Sequence, residues 1–151
     1  MKRTVRAVVV LAALAAAVPA SAALGEPAAS VMQDQVALKA ARRAGTARRS
    51  YRIERLETRA HTVREYVSLS GTVFAVAWEG VSRPDLSVLL GSYAAPYRRA
   101  LETAGPSRGR RARRIEAGGA VVETWGHQRA LHGRAYVPAL LPPGVKPDDV
   151  Q

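Results

Sequence analysis

The spacing of apolar and polar positions changes character several times along the chain. Residues 7–18 are an unbroken run of Ala, Val and Leu. From Glu26 to Arg43, Val31, Gln35, Leu38 and Arg42 recur three and four residues apart with alanines between them, which predicts a helix of modest amphipathicity. Arg42 to Arg49 then loses any apolar period and reads as a basic linker. Tyr51 to Leu56 alternates polar with apolar, as a strand with one wet face does. Thr62 to Leu69 and Thr72 to Trp78 flank Ser70-Gly71, a hairpin turn whose glycine supplies a positive φ. The second of these strands is apolar on both sides, with Phe74, Val76 and Trp78 on one and Val73, Ala75 and Ala77 on the other. It belongs in the centre of a sheet, its small-residue face against a helix.

Ser82-Arg83-Pro84-Asp85 then resembles a capping box, with Ser82 as cap and Asp85 reaching back. Leu86, Leu89, Leu90, Tyr93, Tyr97 and Leu101 follow at helical spacing. Pro96 within that pattern predicts a kink, or two helices meeting near Gly91 to Pro96. Ala112 to Glu116, Ala120 to Trp125 and Arg129 to Val137 read as three short strands punctuated by Gly118-Gly119, Gly126 and Gly133. Pro138 to Pro143 and Pro147 exclude further sheet. The expected fold is α+β, an antiparallel sheet of five or six strands packed on one or two helices, in the order helix-β-β-β-helix-β-β-β.

The first apolar run has a different purpose. Lys2, Arg3 and Arg6 precede it, Pro19 ends it, and Ala20-Ser21-Ala22 offers the small-x-small pattern of a signal-peptidase site. Twelve residues of helix are too short to span a bilayer, which takes about 20. Residues 1–22 therefore read as a cleavable signal peptide, cut after Ala22 or, as second choice, after Ala23. Residues 23–50 form an N-terminal helix and basic linker, and 51–151 a single domain. Without a cysteine there is no lipid anchor, disulfide or thiol nucleophile. The basic head also lacks the paired arginines of the twin-arginine route. The expectation is export by the general secretory route to the periplasm or beyond, with no transmembrane anchor.

Charge narrows the partners. The formal net charge is +11, and the leader holds three of the 23 Lys and Arg and none of the 12 Asp and Glu, leaving +8. Such a balance suits phosphate-rich or other anionic partners, although an Arg- and Ala-rich composition also arises from coding bias. The densest cluster is Arg108, Arg110, Arg111, Arg113 and Arg114, a candidate anion site because guanidinium forks bind phosphate bidentately. The competing reading is a solvated loop.

Catalytic patterns are sparse. His61, His127 and His132 lack the spacing of a zinc site; a tight hairpin would bring His127 and His132 together near Glu123, but five residues apart on a continuous strand they lie on opposite faces. Neither a Gly-x-Ser-x-Gly elbow nor a phosphate loop occurs, so no metal or cofactor is expected. Glu65 and Glu79 fall on adjacent strands, where pairing with Arg64 or other arginines is the expected fate.

Val63-Arg64-Glu65-Tyr66, Gly71 to Gly80, Pro84-Asp85-Leu86 and Leu89-Leu90-Gly91, together with Gly126-His127, Arg129-Ala130, Gly133 to Pro142 and Gly144-Val145, resemble the exported proteobacterial proteins grouped as domain of unknown function 2844. The resemblance runs from about Tyr51 onward. It implies export and a shared fold, and it carries no catalytic residue over, because the family has no established activity. The leading functional expectation is a non-enzymatic exported binding or accessory protein whose partner is an anionic envelope component or another protein. A small periplasmic hydrolase assembled from distant residues, and an electrostatic binder of anionic envelope polymers or nucleic acid, are the alternatives.

Overall fold

Lys39 ends the first helix far sooner than its alanine-rich sequence suggests: with φ at 51° it turns the chain left-handed just after α1 (Val31–Ala37). A computed structural model of the protein describes residues 24–105 and 112–151. The leader with its Ala22 and Ala23 cut, and Arg108, Arg110 and Arg111, lie outside the described residues. After Lys39 come β1 (Ala41–Ala47), β2 (Tyr51–Glu57), β3 (His61–Ser68) and β4 (Val73–Gly80), then α2 (Leu86–Leu90) and α3 (Ala94–Ala104). The chain finishes with β5 (Ala112–Ala117), β6 (Ala120–His127) and β7 (Ala130–Tyr136). All seven strands form one antiparallel sheet in the order β1-β2-β3-β4-β7-β6-β5. A four-strand meander runs to β4. The helices then carry the chain to the far edge, from which a second meander returns until β7 closes on β4.

This corrects the expected five or six strands and their order: the described residues are mostly sheet, with short helices. The additional strand is β1, at the place expected to be a basic linker. Every residue of β1 is exposed, so no apolar alternation betrays it. What makes it a strand is its neighbour: Arg42 pairs with Glu54 at 2.9 Å and Arg43 with Glu57 at 2.8 Å across the ladder. Charged side chains also guard an open sheet edge against pairing with another chain. Two helical expectations also change. Asp85 is itself the cap of α2, accepting from the Ser87 N–H at 2.8 Å, so Ser82 is not the cap. Two helices do meet at Gly91–Tyr93, and Pro96 sits in the first turn of α3, where its missing N–H has no partner to lose.

The sheet buries both faces. On one, α1, α2, α3 and Leu24 cover Leu56, Val63, Val67, Val76, Trp78, Val122 and Ala135. On the other, the segment after β7 brings Leu141, Val145 and Val150 onto Tyr66, Phe74, Ala75, Ala77, Val121 and Tyr136. The small face of β4 therefore meets the tail rather than a helix. Phe74 also changes sides. The β3–β4 register slips between Tyr66↔Ala75 and Val67↔Val73, a bulge that puts Phe74 with Ala75 and Ala77 and leaves Val73, Val76 and Trp78 facing the helices.

Candidate functional site

Two tight hairpins bring the charged groups of the second meander into line. Gly118 and Gly119, with φ of 62° and 88°, give the turn between β5 and β6 the left-handed backbone that a two-residue hairpin requires. Gln128-Arg129 turns β6 into β7. The resulting register sets Arg114 opposite Glu123 and Glu123 opposite Arg134, while β7 on β4 sets Arg134 opposite Ala77, which in turn faces Arg64. A second row runs beside it: Thr62, Glu79, His132, Trp125 and Ala112. Both rows lie on the tail-covered face, beyond the edge of the tail. Between them and Asp148, Val150 and Gln151 lies an open groove of about 840 Å3.

The guanidinium groups there are committed to one another's partners. Arg134 donates to Glu123 at 2.5 Å, to Asp148 at 3.1 Å and to the main-chain oxygen of Pro147 at 2.6 Å. Arg114 donates to Glu116 at 2.8 Å and to Glu123 at 2.6 Å. Arg64 donates to Glu79 and, at 3.2 Å, to the main-chain oxygen of Gln151. Burial pushes the Glu123 carboxyl up, but the hydrogen bonds from Arg134 and Arg114 outweigh it and hold the group below its ordinary value. The same contacts raise Arg114, led by Glu116. These groups stay ionised and fixed at neutral pH. Above them, Trp125 stacks parallel to His132 with ring centroids 6.1 Å apart and lies 5.8 Å from the Arg134 guanidinium carbon, yet 37% of it stays exposed.

A second group of charges lies on the opposite face, beneath α1. Glu54 and Glu65 stand directly opposite each other on β2 and β3, and Asp34 descends on them from α1. Like charges at such a position repel. Arg42 and Arg52 neutralise Glu54 at 2.9 and 3.1 Å, whereas Asp34 and Glu65, each 1% exposed, meet no hydrogen-bond donor among the described residues. Burial pushes both carboxyls up, and for Asp34 the nearby Glu65 adds to the effect. One proton held between the two carboxyls is the arrangement that chemistry allows.

The structure separates several residues that the sequence associates. Glu79 pairs with Arg64, as expected, but Glu65 points to the other face. His127 and His132 are not on opposite faces of one strand, as expected, but on one face of the β6–β7 hairpin, His127 exposed at its end and His132 in the groove. Among the described residues no group of three or more His, Asp or Glu could hold a metal ion. Of the arginine cluster, Arg113 donates to the main-chain oxygens of Gly105 and Leu101, and Arg114 belongs to the ion-pair row. Asp34, Glu54, Trp125 and Arg134 were not expected at sites. A signal for the groove does exist in the sequence. Turns centred on Gly118-Gly119 and Gln128-Arg129 fix which residues face each other, and counting outward from them aligns Arg114, Glu123 and Arg134. No such count reaches Asp34, which only the docking of α1 places.

Fold and groove together define a small antiparallel-sheet module, closed by helices on one face and by its own tail on the other, with an ion-paired, aromatic-walled groove beside that tail. The chain belongs to the family described as Protein of unknown function (DUF2844), whose model matches residues 20–150. Comparison with curated proteins and with solved structures found no match. No helix of the described residues is long and apolar enough to cross a membrane.

Proposed function

We propose that the protein is an exported binding module that receives its ligand in the groove between β3, β4, β7, β6 and the tail. The observation that carries this reading is Trp125: a large aromatic ring held by His132 and Arg134 at the wall of an 840 Å3 groove while keeping a third of its surface open. Pockets of roughly 300–1,000 Å3 with a few fixed polar groups are the usual form of a small-molecule or chain-segment site. The arginines that hold the Glu123 carboxyl below its ordinary value favour holding a ligand over proton transfer there, because a general base works best near the operating pH and not below it. It also weakens the reading as an electrostatic binder, since Arg113 and Arg114 are already engaged.

Export is supported by the basic head, the short apolar run and the Ala-x-Ala site of the leader. Intact mass of the protein recovered from a periplasmic fraction should begin at Ala23 or Leu24, and recovery of uncut chain from the cytoplasm would overturn export. Hydrogen–deuterium exchange in the presence of fractionated envelope polysaccharides, peptides and nucleotides tests the groove. Protection confined to β6, β7 and residues 147–151, absent in Trp125→Ala, is the expected result. Protection elsewhere, unchanged by that substitution, contradicts the reading.

A further inference from the structure

The groove's chemistry narrows the class of ligand, and this step rests on the binding reading above. We infer that the ligand is a neutral glycan, a pyranose chain that lays its C–H face on Trp125 and donates hydroxyls to Glu79 and Asp148.

An indole face is the negative side of the ring quadrupole, and the slightly positive C–H face of a pyranose is its complement. The platform is prearranged. His132, directly opposite Trp125 in the ladder, and Arg134, one pair along, fix the ring, so little side-chain freedom is lost on binding. Two of the groove's carboxylates keep an acceptor oxygen for a ligand. Glu79 offers the oxygen that Arg64 does not take, and Asp148, with its side chain 89% exposed, offers the one that Arg134 does not take. A carboxylate pinned by an arginine is a rigid acceptor for hydroxyl donors, which a sugar supplies in quantity.

The alternatives fit less well. An anionic ligand would need guanidinium donors, but Arg114 and Arg134 give most of theirs to Glu116, Glu123, Asp148, Tyr136 and main-chain oxygens, and the N–H groups left on Arg64 lie beside the Glu79 carboxylate it already holds. Breaking those pairs would leave the carboxylates facing the anion. A cationic ligand would approach a processed chain of net charge +8, and the groove's four arginines outnumber its three side-chain carboxylates. Uncharged and hydroxyl-rich is the remaining complement.

The test is an oligosaccharide array carrying neutral, uronate-containing and sulfated members, probed with the secreted protein at low and high salt, alongside acidic and basic peptides. Neutral oligosaccharides should bind with a dissociation constant that changes less than about twofold with salt, since no ion pair forms. Binding should fall at least about tenfold in Trp125→Ala, persist in part in Trp125→Phe, and weaken in Glu79→Gln. Circular dichroism and thermal unfolding confirm that each variant is folded. Binding only to the acidic members, steeply weakened by salt yet lost in Trp125→Ala, overturns the neutral-glycan inference and leaves the groove standing. Binding that ignores Trp125 overturns the groove itself. No binding to any neutral oligosaccharide also overturns the inference.

Discussion

Trp78 lies flat across β7 because residue 133 carries no side chain. A Cβ at Gly133 would stand 2.2 Å from the ring's Cζ2 atom and 2.9 Å from the main-chain oxygen of Glu123. Neither neighbour can yield: Trp78 is 2% exposed within the helix-side core, and the Glu123 oxygen belongs to the sheet. Gly133→Ala should therefore destabilise the protein by about 1–3 kcal/mol, the usual cost of overpacking a filled core. The midpoint of urea unfolding reads this directly. Because Gly133 lies between His132 and Arg134, the same substitution should loosen the Trp125 platform. Iodide quenching of tryptophan fluorescence should then rise, since Trp78 is shielded in the native protein and Trp125 is not.

At the level of elements, α1 is the part most exposed to pH. It is seven residues long, shows Met32 and Val36 to solvent, and is held by Val31 and by Asp34 above Glu65. The charged groups facing this pair are Glu54, opposite Glu65, and the arginines that neutralise Glu54, Arg42 and Arg52. Asp34 and Glu65 are both raised by burial, so the folded state keeps a proton where the unfolded chain has already lost it. The pair's contribution to stability is then greatest below the ordinary carboxylate range and declines as pH rises through neutrality, until the folded carboxyls titrate. His61 acts in the opposite sense. Burial lowers it, so its penalty grows as pH falls below about 6.5. Between pH 7 and 9 the carboxyl pair dominates. In that window unfolding free energy should drop on the order of 1–2 kcal/mol in the native protein. Asp34→Asn or Glu65→Gln should flatten the decline, as urea titrations at the two pH values would show. An unchanged slope in both variants would mean that the pair holds no extra proton.

Across the whole molecule, the tail links core to groove. Val150 is fully buried with Tyr66, Phe74 and Tyr136, while Arg134 holds the Pro147 main-chain oxygen and Asp148. Lys146 and Asp149 close the last turn through a 2.7 Å bond from the Lys146 N–H to the Asp149 carboxylate. Val150→Ala should cost about 1–3 kcal/mol for lost burial and the cavity left behind, measured by chemical denaturation. It should also lower ligand affinity, because the rim residues Asp148 and Gln151 hang from the same anchor. A stability loss with undiminished affinity would show that the rim is held by Arg134 and Arg64 alone.

How much of this was legible along the chain depended on whether the cause was local. Apolar alternation and glycine turns are local, so β2, the β3–β4 hairpin and the second meander could be read from the sequence, and the helix-to-helix junction near Gly91 with them. The resemblance at Val63 to Tyr66 and along Gly133 to Pro142 likewise pointed to the family. The strand β1 has no apolar face and exists through Glu54 and Glu57 on its neighbour, so the sequence alone suggested a linker. The bulge at Phe74 depends on how β4 meets β3, and the partner of the alanine face depends on where the tail folds back. The groove and the buried Asp34–Glu65 pair join residues from distant elements. Sequence determines which side chains alternate and where the chain reverses; only tertiary packing decides which faces meet, because burial and charge pairing are properties of neighbours in space.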